Sequence, residues 1–196
     1  MKRTLIRNAR LSYANVWKPR AINDNAEPSY SCSLLVDKND KESLAAIKAG
    51  IKEAERKGKE QYGAKWKALR TPLRDGDTED KGEAYKGHFF MNAKSRTKPG
   101  ILKVVRVNGK TKQEPVLNED EVYSGCYAHV TVEFYPYSAS GNTGVACALG
   151  NILKMRDGEP LDGRIRAEDE FSEIEIDEDD LDDDSDDLDD LDDLLN

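Results

Sequence analysis

The spacing of apolar positions changes along the chain, and each change marks a different kind of element. Thr4 to Val16 reads as a strand with a bend, and Tyr30 to Val36 (YSCSLLV) as a second strand, rich in residues that suit a pleated sheet. Asn23 to Pro28 between them is turn-rich. From Asp40 to Lys57 the period lengthens: Leu44, Ile47 and Ile51 recur every three or four residues, alanines fill in, and Asp40 stands where a helix cap belongs. This predicts one amphipathic helix, extended toward Tyr62 and Trp66 by a second short one. Strand patterns resume at His88 to Ala93 (HFFMNA), Ile101 to Val107 (ILKVVRV), Cys126 to Tyr137 and Gly144 to Met155, and the glycine-bearing SASGNTG predicts a hairpin tip between the last two. The strands do not alternate with helices. A mainly β (α+β) fold is therefore expected, a small closed or partly closed barrel with one main helix and long loops.

Composition makes the core modest, with 37% hydrophobic residues and a mean hydropathy of −0.78. Charge changes the picture more. Residues 167–196 hold 18 of the 39 acidic residues and no Lys or Arg, so a net charge of −9 divides into a body near +9 and a tail near −18. Two units are expected: a folded domain over 1–166 and a disordered acidic tail over 167–196. A basic body carrying its own polyanion suits a nucleic-acid binder, because phosphates and tail carboxylates compete for the same cations. Leu188, Leu191, Leu194 and Leu195 punctuate the tail and are candidates for contact with a partner protein, the acids steering its approach.

Aromatics interleaved with cations carry the candidate chemistry of the body. Tyr13 and Trp17 precede Lys18 and Arg20; Tyr85 and Phe90 precede Lys94, Arg96 and Lys98; Lys103 and Arg106 follow, and Tyr123 and Tyr127 come later. Single-stranded nucleic acid requires this mixture: cations track phosphates while aromatic faces stack on bases, tolerating any sequence. Each aromatic also has an ordinary structural use. Alternation in HFFMNA puts Phe89 and Met91 on one face and Phe90 on the other, without saying which phenylalanine is core. Phe134 and Trp66 read as core. Tyr13, Trp17, Tyr85, Tyr123 and Tyr127 fit half-buried positions as well as stacking platforms. RTKPG, with Arg96 and Lys98, reads as a basic hairpin tip, and Lys110 and Lys112 as an exposed basic turn.

Enzymatic signatures are missing: no phosphate-binding loop, nucleophile elbow or zinc-protease motif occurs. Cys32, Cys126 and Cys147 lie far apart and read as buried reduced thiols, and His88 and His129 lack metal-ligand spacing, so neither metal nor cofactor is expected. The carboxylates from Asp75 to Asp80 leave a metal-dependent nuclease as a weaker alternative. A DNA-mimic interaction module acting through the acidic tail is a stronger one. No run approaches ~20 apolar residues and MKRTLIRNAR lacks a signal peptide's apolar centre, so a cytoplasmic protein without membrane contact is expected.

LSYANVWKP (11–19), YSCSLLV (30–36), PLRDGD (72–77), YKGHFFMNAKSRTKPG (85–100), VYSGCYAHVTVEFYPYS (122–138) and GNTGVACALGNILKMRDGEPLDGR (141–164) together resemble a family of phage and prophage proteins long catalogued as a domain of unknown function. Members of that family are understood as single-stranded DNA-binding proteins with an oligonucleotide-binding (OB) fold. The resemblance implies a five-stranded OB-like barrel that coats and protects single strands during phage replication or recombination in the bacterial host cytoplasm. It also implies an acidic tail that restrains DNA binding and recruits replication or recombination proteins. Coating can be cooperative along a strand, so self-association on DNA is expected as well. Related tails usually end in an aromatic residue, whereas this one ends Leu194, Leu195, Asn196.

Overall fold

The first strand, β1 (Thr4–Arg20), is long enough to serve two neighbours: it pairs antiparallel with β7 (Tyr127–Ala139) through residues 4–10 and with β2 (Ser29–Asp37) through residues 10–20. Irregularities allow the bend that this requires. Asn8 and Tyr13 both have φ of 48° and sit at register shifts, where an extra residue bends a strand and re-aims its side chains. The computed structural model describes residues 3–21, 23–24, 26–139, 141–161 and 163. The acidic segment 167–196, with Leu188, Leu191, Leu194 and Leu195, lies outside the described residues, as does the boundary expected at Arg166.

Strand order explains the barrel. After β2 come α1 (Lys41–Tyr62), the two-residue β3 (Arg74–Asp75), β4 (His88–Ser95), β5 (Ile101–Val107), β6 (Lys110–Pro115), β7 and β8 (Asn142–Arg156). The sheet runs β3-β4-β2-β1-β7-β8-β5-β6, and β4 also pairs with β8 in parallel at Lys94 and Ala148. That contact closes β4, β2, β1, β7 and β8 into a five-stranded mixed barrel. Alternate residues point inward: Ile6, Leu11 and Val16 from β1, Cys32, Leu34 and Val36 from β2, Met91 and Ala93 from β4, Val130 and Val132 from β7, and Cys147, Leu149 and Ile152 from β8. Each large side chain so buried contributes about 1.5–3 kcal/mol.

Helix α1 starts where Asp40 accepts the backbone N–H of Ser43 at 3.0 Å, and it lays Ile47 and Ala54 on the core. It ends at Tyr62, and the expected second helix is absent among the described residues. Instead a turn after Gly63 returns Trp66 onto the helix, its ring so close to Gly58 that a Cβ there would lie 2.4 Å from it. Trp66 is core, as expected, but by folding back rather than by helical spacing.

Two further expectations change. RTKPG does not tip a hairpin: β4 and β5 on either side of it both run parallel to β8, so the segment is a crossover between successive partners of one strand. Lys110 and Lys112 lie on strand β6, paired with β5 across an Asn108–Gly109 turn whose φ values of 50° and 75° are those of a tight hairpin.

The three cysteines are buried, and none is joined in a disulfide among the described residues. Burial pushes the Cys147 thiol up to about 12 and raises Cys32 as well, which suppresses the nucleophilic thiolate.

The bend at Asn8 carries a pH dependence. Its backbone N–H donates to Nδ1 of His129 at 2.9 Å, which requires an unprotonated Nδ1. Burial, then the nearby Arg7 charge, lowers the His129 pKa from its ordinary 6.5. A depressed histidine pKa means that the unfolded chain binds the proton more readily. The His129 contribution is therefore complete above about pH 6.5 and declines as pH falls toward the folded-state value. Thermal melts between pH 7.5 and 5.5 should show a falling Tm, with a shallower fall in His129→Gln; equal slopes would remove His129 as the cause.

Candidate nucleic-acid interface

The outer face of the barrel is polar where β1, β2 and β4 meet. Ser12 pairs with Ser33, Asn15 with Ser31, Ser33 with Asn92 and Ser31 with Lys94, so short polar side chains form a floor across three strands. A groove of about 230 Å³ opens over it, lined by Tyr13, Ser31, Ser33, Lys81, Asn92 and Lys94, with Tyr85 and Phe90 in its wall. Ser33 donates to the Asn92 side-chain oxygen at 2.6 Å, which leaves the amide hydrogens of Asn92 directed elsewhere.

Tyr13 stands out against this floor. Its side chain is 68% exposed, it sits at the bulge with φ of 48°, and its ring makes no hydrogen bond or ring contact among the described residues. A bulky residue in the left-handed region is uncommon and persists only where neighbours hold it. Here they do: the Gly125 N–H donates to the Leu11 carbonyl at 2.8 Å and the Ala14 N–H to Ser124 Oγ at 3.0 Å, pinning the backbone on both sides.

The other aromatics expected at a binding surface divide. Phe90 is the outward-facing member of its pair, yet it is only 1% exposed, because the loop between β3 and β4 crosses it. Tyr85 from that loop meets Phe90 edge-on at 5.0 Å, donates to Ser12 Oγ at 3.0 Å and is itself buried, and Arg74 lies 4.8 Å over the Phe90 ring. Neither ring offers a free face to a base. Both form a small cluster with Leu35 that walls the groove.

Trp17 is half-buried, donating from Nε1 to the Val122 carbonyl at 3.0 Å, with the Lys98 ammonium 5.2 Å over its ring. The register places this pair toward the end of the face where Arg20 meets Ser29. Tyr127 lies across β1 from the groove, with Arg156 at 3.4 Å and Arg10 at 5.8 Å from its ring. Tyr123 binds Asp157 and the Gly158 carbonyl through its hydroxyl.

Cations divide as well. Lys18 pairs with Glu119 at 3.6 Å, Arg96 with Glu27 at 2.7 Å and Lys103 with Glu121 at 2.8 Å; hydrogen bonding to Glu121 raises the Lys103 pKa. Lys81, Lys94, Arg20 and Arg106 are exposed and make no ion pair among the described residues. Only Lys94 and Lys81 of these line the groove. Lys81 had no local signal in the sequence, whereas Ser31, Ser33 and Asn92 were legible as the polar members of alternating strands.

Asp75 and Asp77 are tied to a lysine rather than arranged as a metal site. Both accept from Lys38 Nζ at 2.6 Å, and those hydrogen bonds hold both carboxylates below the usual range. No cluster with metal-ligand geometry occurs among the described residues.

The fold has counterparts among solved structures. The single-stranded DNA-binding protein from bacteriophage Enc34, solved in complex with ssDNA, is 25% identical and superposes with a TM-score of 0.67 over 81% of this chain and 89% of that one. Gp2.5, the single-stranded DNA-binding protein of bacteriophage T7, is 16% identical with a TM-score of 0.54, covering 89% of this chain and 95% of its own, a likeness of fold alone. Putative protein p50 of Acyrthosiphon pisum secondary endosymbiont phage 1 is 27% identical over 183 residues, 89% of this chain and 95% of its own. The family model described as Enterobacter phage Enc34, ssDNA-binding protein, matches residues 2–182. By that match, and with a barrel of the same fold, the chain belongs to the Enc34 phage family of single-stranded DNA-binding proteins, which are binders and not enzymes.

Proposed function

We propose that this protein coats and protects single-stranded DNA during phage replication or recombination in the host cytoplasm, holding the strand in the groove over β1, β2 and β4. The observation that carries this is Tyr13: an exposed ring on a pinned, left-handed backbone, beside Lys94 and above a floor of small polar side chains. OB-type barrels bind oligonucleotides on the corresponding face. Tyr13 stacks on a base, and Lys81 and Lys94 meet phosphates. Trp17 with Lys98, then Arg20 and Lys18, continue the path at one end. Arg96, Lys103, Arg106, Tyr123 and Tyr127 belong to its surroundings, and Tyr85 and Phe90 shape its wall. Stacking accepts any base and phosphate contacts carry no base information, which favours sequence-tolerant binding.

Residues 1–166 form the binding domain, and 167–196 the segment that competes for the same cations. Leu188, Leu191, Leu194 and Leu195 engage a replication or recombination protein, and copies associate along the strand.

Equilibrium binding of the full chain and of residues 1–166 to matched single- and double-stranded DNA across a salt series tests this. Single strands should be preferred and the shortened chain should bind more tightly. Lys94→Gln should reduce the slope of log K against log salt by about 0.7, one phosphate contact on a single strand. Failure of residues 1–166 to bind single strands would transfer the function to the tail, as a DNA mimic.

A further inference from the structure

One wall of the groove hangs on a cluster of charges that, by sign alone, opposes DNA. The loop from Gly76 to Gly87 carries Lys81 and Tyr85 to the groove, and both of its ends converge on Lys38, the residue that follows β2. At its start, Asp75 accepts from Lys38 Nζ and from the Asp77 N–H at 2.9 Å. At its end, the Gly87 N–H donates to Asp77 Oδ1 at 2.7 Å, while the Lys38 N–H donates to the Gly87 carbonyl at 3.1 Å. Asp77 Oδ2 takes a second bond from Lys38 Nζ, and that ammonium lies 4.9 Å over the Phe89 ring. The Lys38 side chain is only 27% exposed, so this pairing is less screened than one on an open surface.

We propose that Asp75 and Asp77 promote the binding of single-stranded DNA, as positioning residues that latch the loop through Lys38 and so hold Lys81 and Tyr85 at the groove. The inference rests on the groove assigned above. It runs against charge: two carboxylates beside a phosphate-binding surface repel the ligand, so removing them would tighten binding if they acted only through their field. A latch acts in the opposite direction. A released loop must be ordered again when DNA binds, and that ordering cost falls on affinity.

The sign of one measurement decides. Full-length protein with Asp75→Ala plus Asp77→Ala is titrated with fluorescent oligo-dT at several salt concentrations, well below its Tm. The latch predicts a Kd raised roughly five- to tenfold, the cost of ordering one or two side chains. Trypsin should also cut sooner at Lys81 and Lys86. Lys38→Met should weaken binding with the salt slope unchanged, since Lys38 touches no phosphate, and Lys38→Arg should restore it. An unchanged or lowered Kd in the double variant overturns the latch, as does a Lys38→Met slope reduced by a full contact. If the double variant does not fold, Asp77→Ala alone carries the same opposition of sign. Lys94→Gln separates the two levels. Weakening there, without weakening in the aspartate variant, removes the latch and leaves the groove; no change in Lys94→Gln removes the groove and the latch with it.

Discussion

Tyr13→Ala is expected to weaken single-stranded DNA binding by about 1–3 kcal/mol, the worth of one stacked base, or roughly five- to a hundred-and-fifty-fold in Kd. Its Tm should stay close to that of the parent. The ring is 68% exposed and contributes little to the core, so its loss opens no cavity. Tyr13→Phe keeps the aromatic face and should keep most of the affinity, because stacking needs the ring and not the hydroxyl. The unusual backbone at this position is held by hydrogen bonds from Gly125 and Ala14, which neither substitution touches. Fluorescence titration with oligo-dT measures the change; a Kd within twofold of the parent for Tyr13→Ala would take away the proposed stacking platform.

Phe90→Ala should behave in the opposite way. The side chain is 1% exposed and packs against Tyr85 and Leu35 beneath Arg74, so truncation leaves a cavity and costs about 3–5 kcal/mol, within the range for a buried phenylalanine. For a domain of this size that lowers Tm by roughly 10 °C or more. Affinity measured on the protein that remains folded should change less than in Tyr13→Ala, since Phe90 presents no free face to a base. A variant that keeps its Tm and loses DNA binding would show that the loop over Phe90 lifts away when DNA binds.

These two aromatics show how far the sequence could be followed. Alternation in HFFMNA separates Phe90 from Phe89 and Met91 without saying which face is inner; in the fold Met91 faces the core and Phe90 the outside of the barrel. Period alone does not reveal that a loop starting fourteen residues earlier in the chain, at Gly76, crosses that outside face and buries the ring. Tyr13 carried equal signals for core and surface; its bulge, set by contacts with residues 124 and 125, turned it outward. The basic cluster from Lys94 to Arg106 was visible as a cluster, but its division into free and neutralised cations depends on Glu27 and Glu121, distant in sequence. Strand β6 was passed over because KTKQEP offers no apolar alternation, although the Asn108–Gly109 pair ahead of it is a recognised hairpin signal.

The sequence by itself determined most of the local elements: the apolar strand segments, the Asp40-capped helix, and the separation of a basic body from an acidic end. These depend on the period and chemistry of neighbouring residues, which a linear reading contains. Tertiary structure alone decided which outward aromatic is bare, which lysines make no ion pair among the described residues, and why Asp75 and Asp77 turn toward Lys38. Exposure and charge pairing are properties of surfaces that close together from segments tens of residues apart, and no local pattern encodes what will come to lie across them.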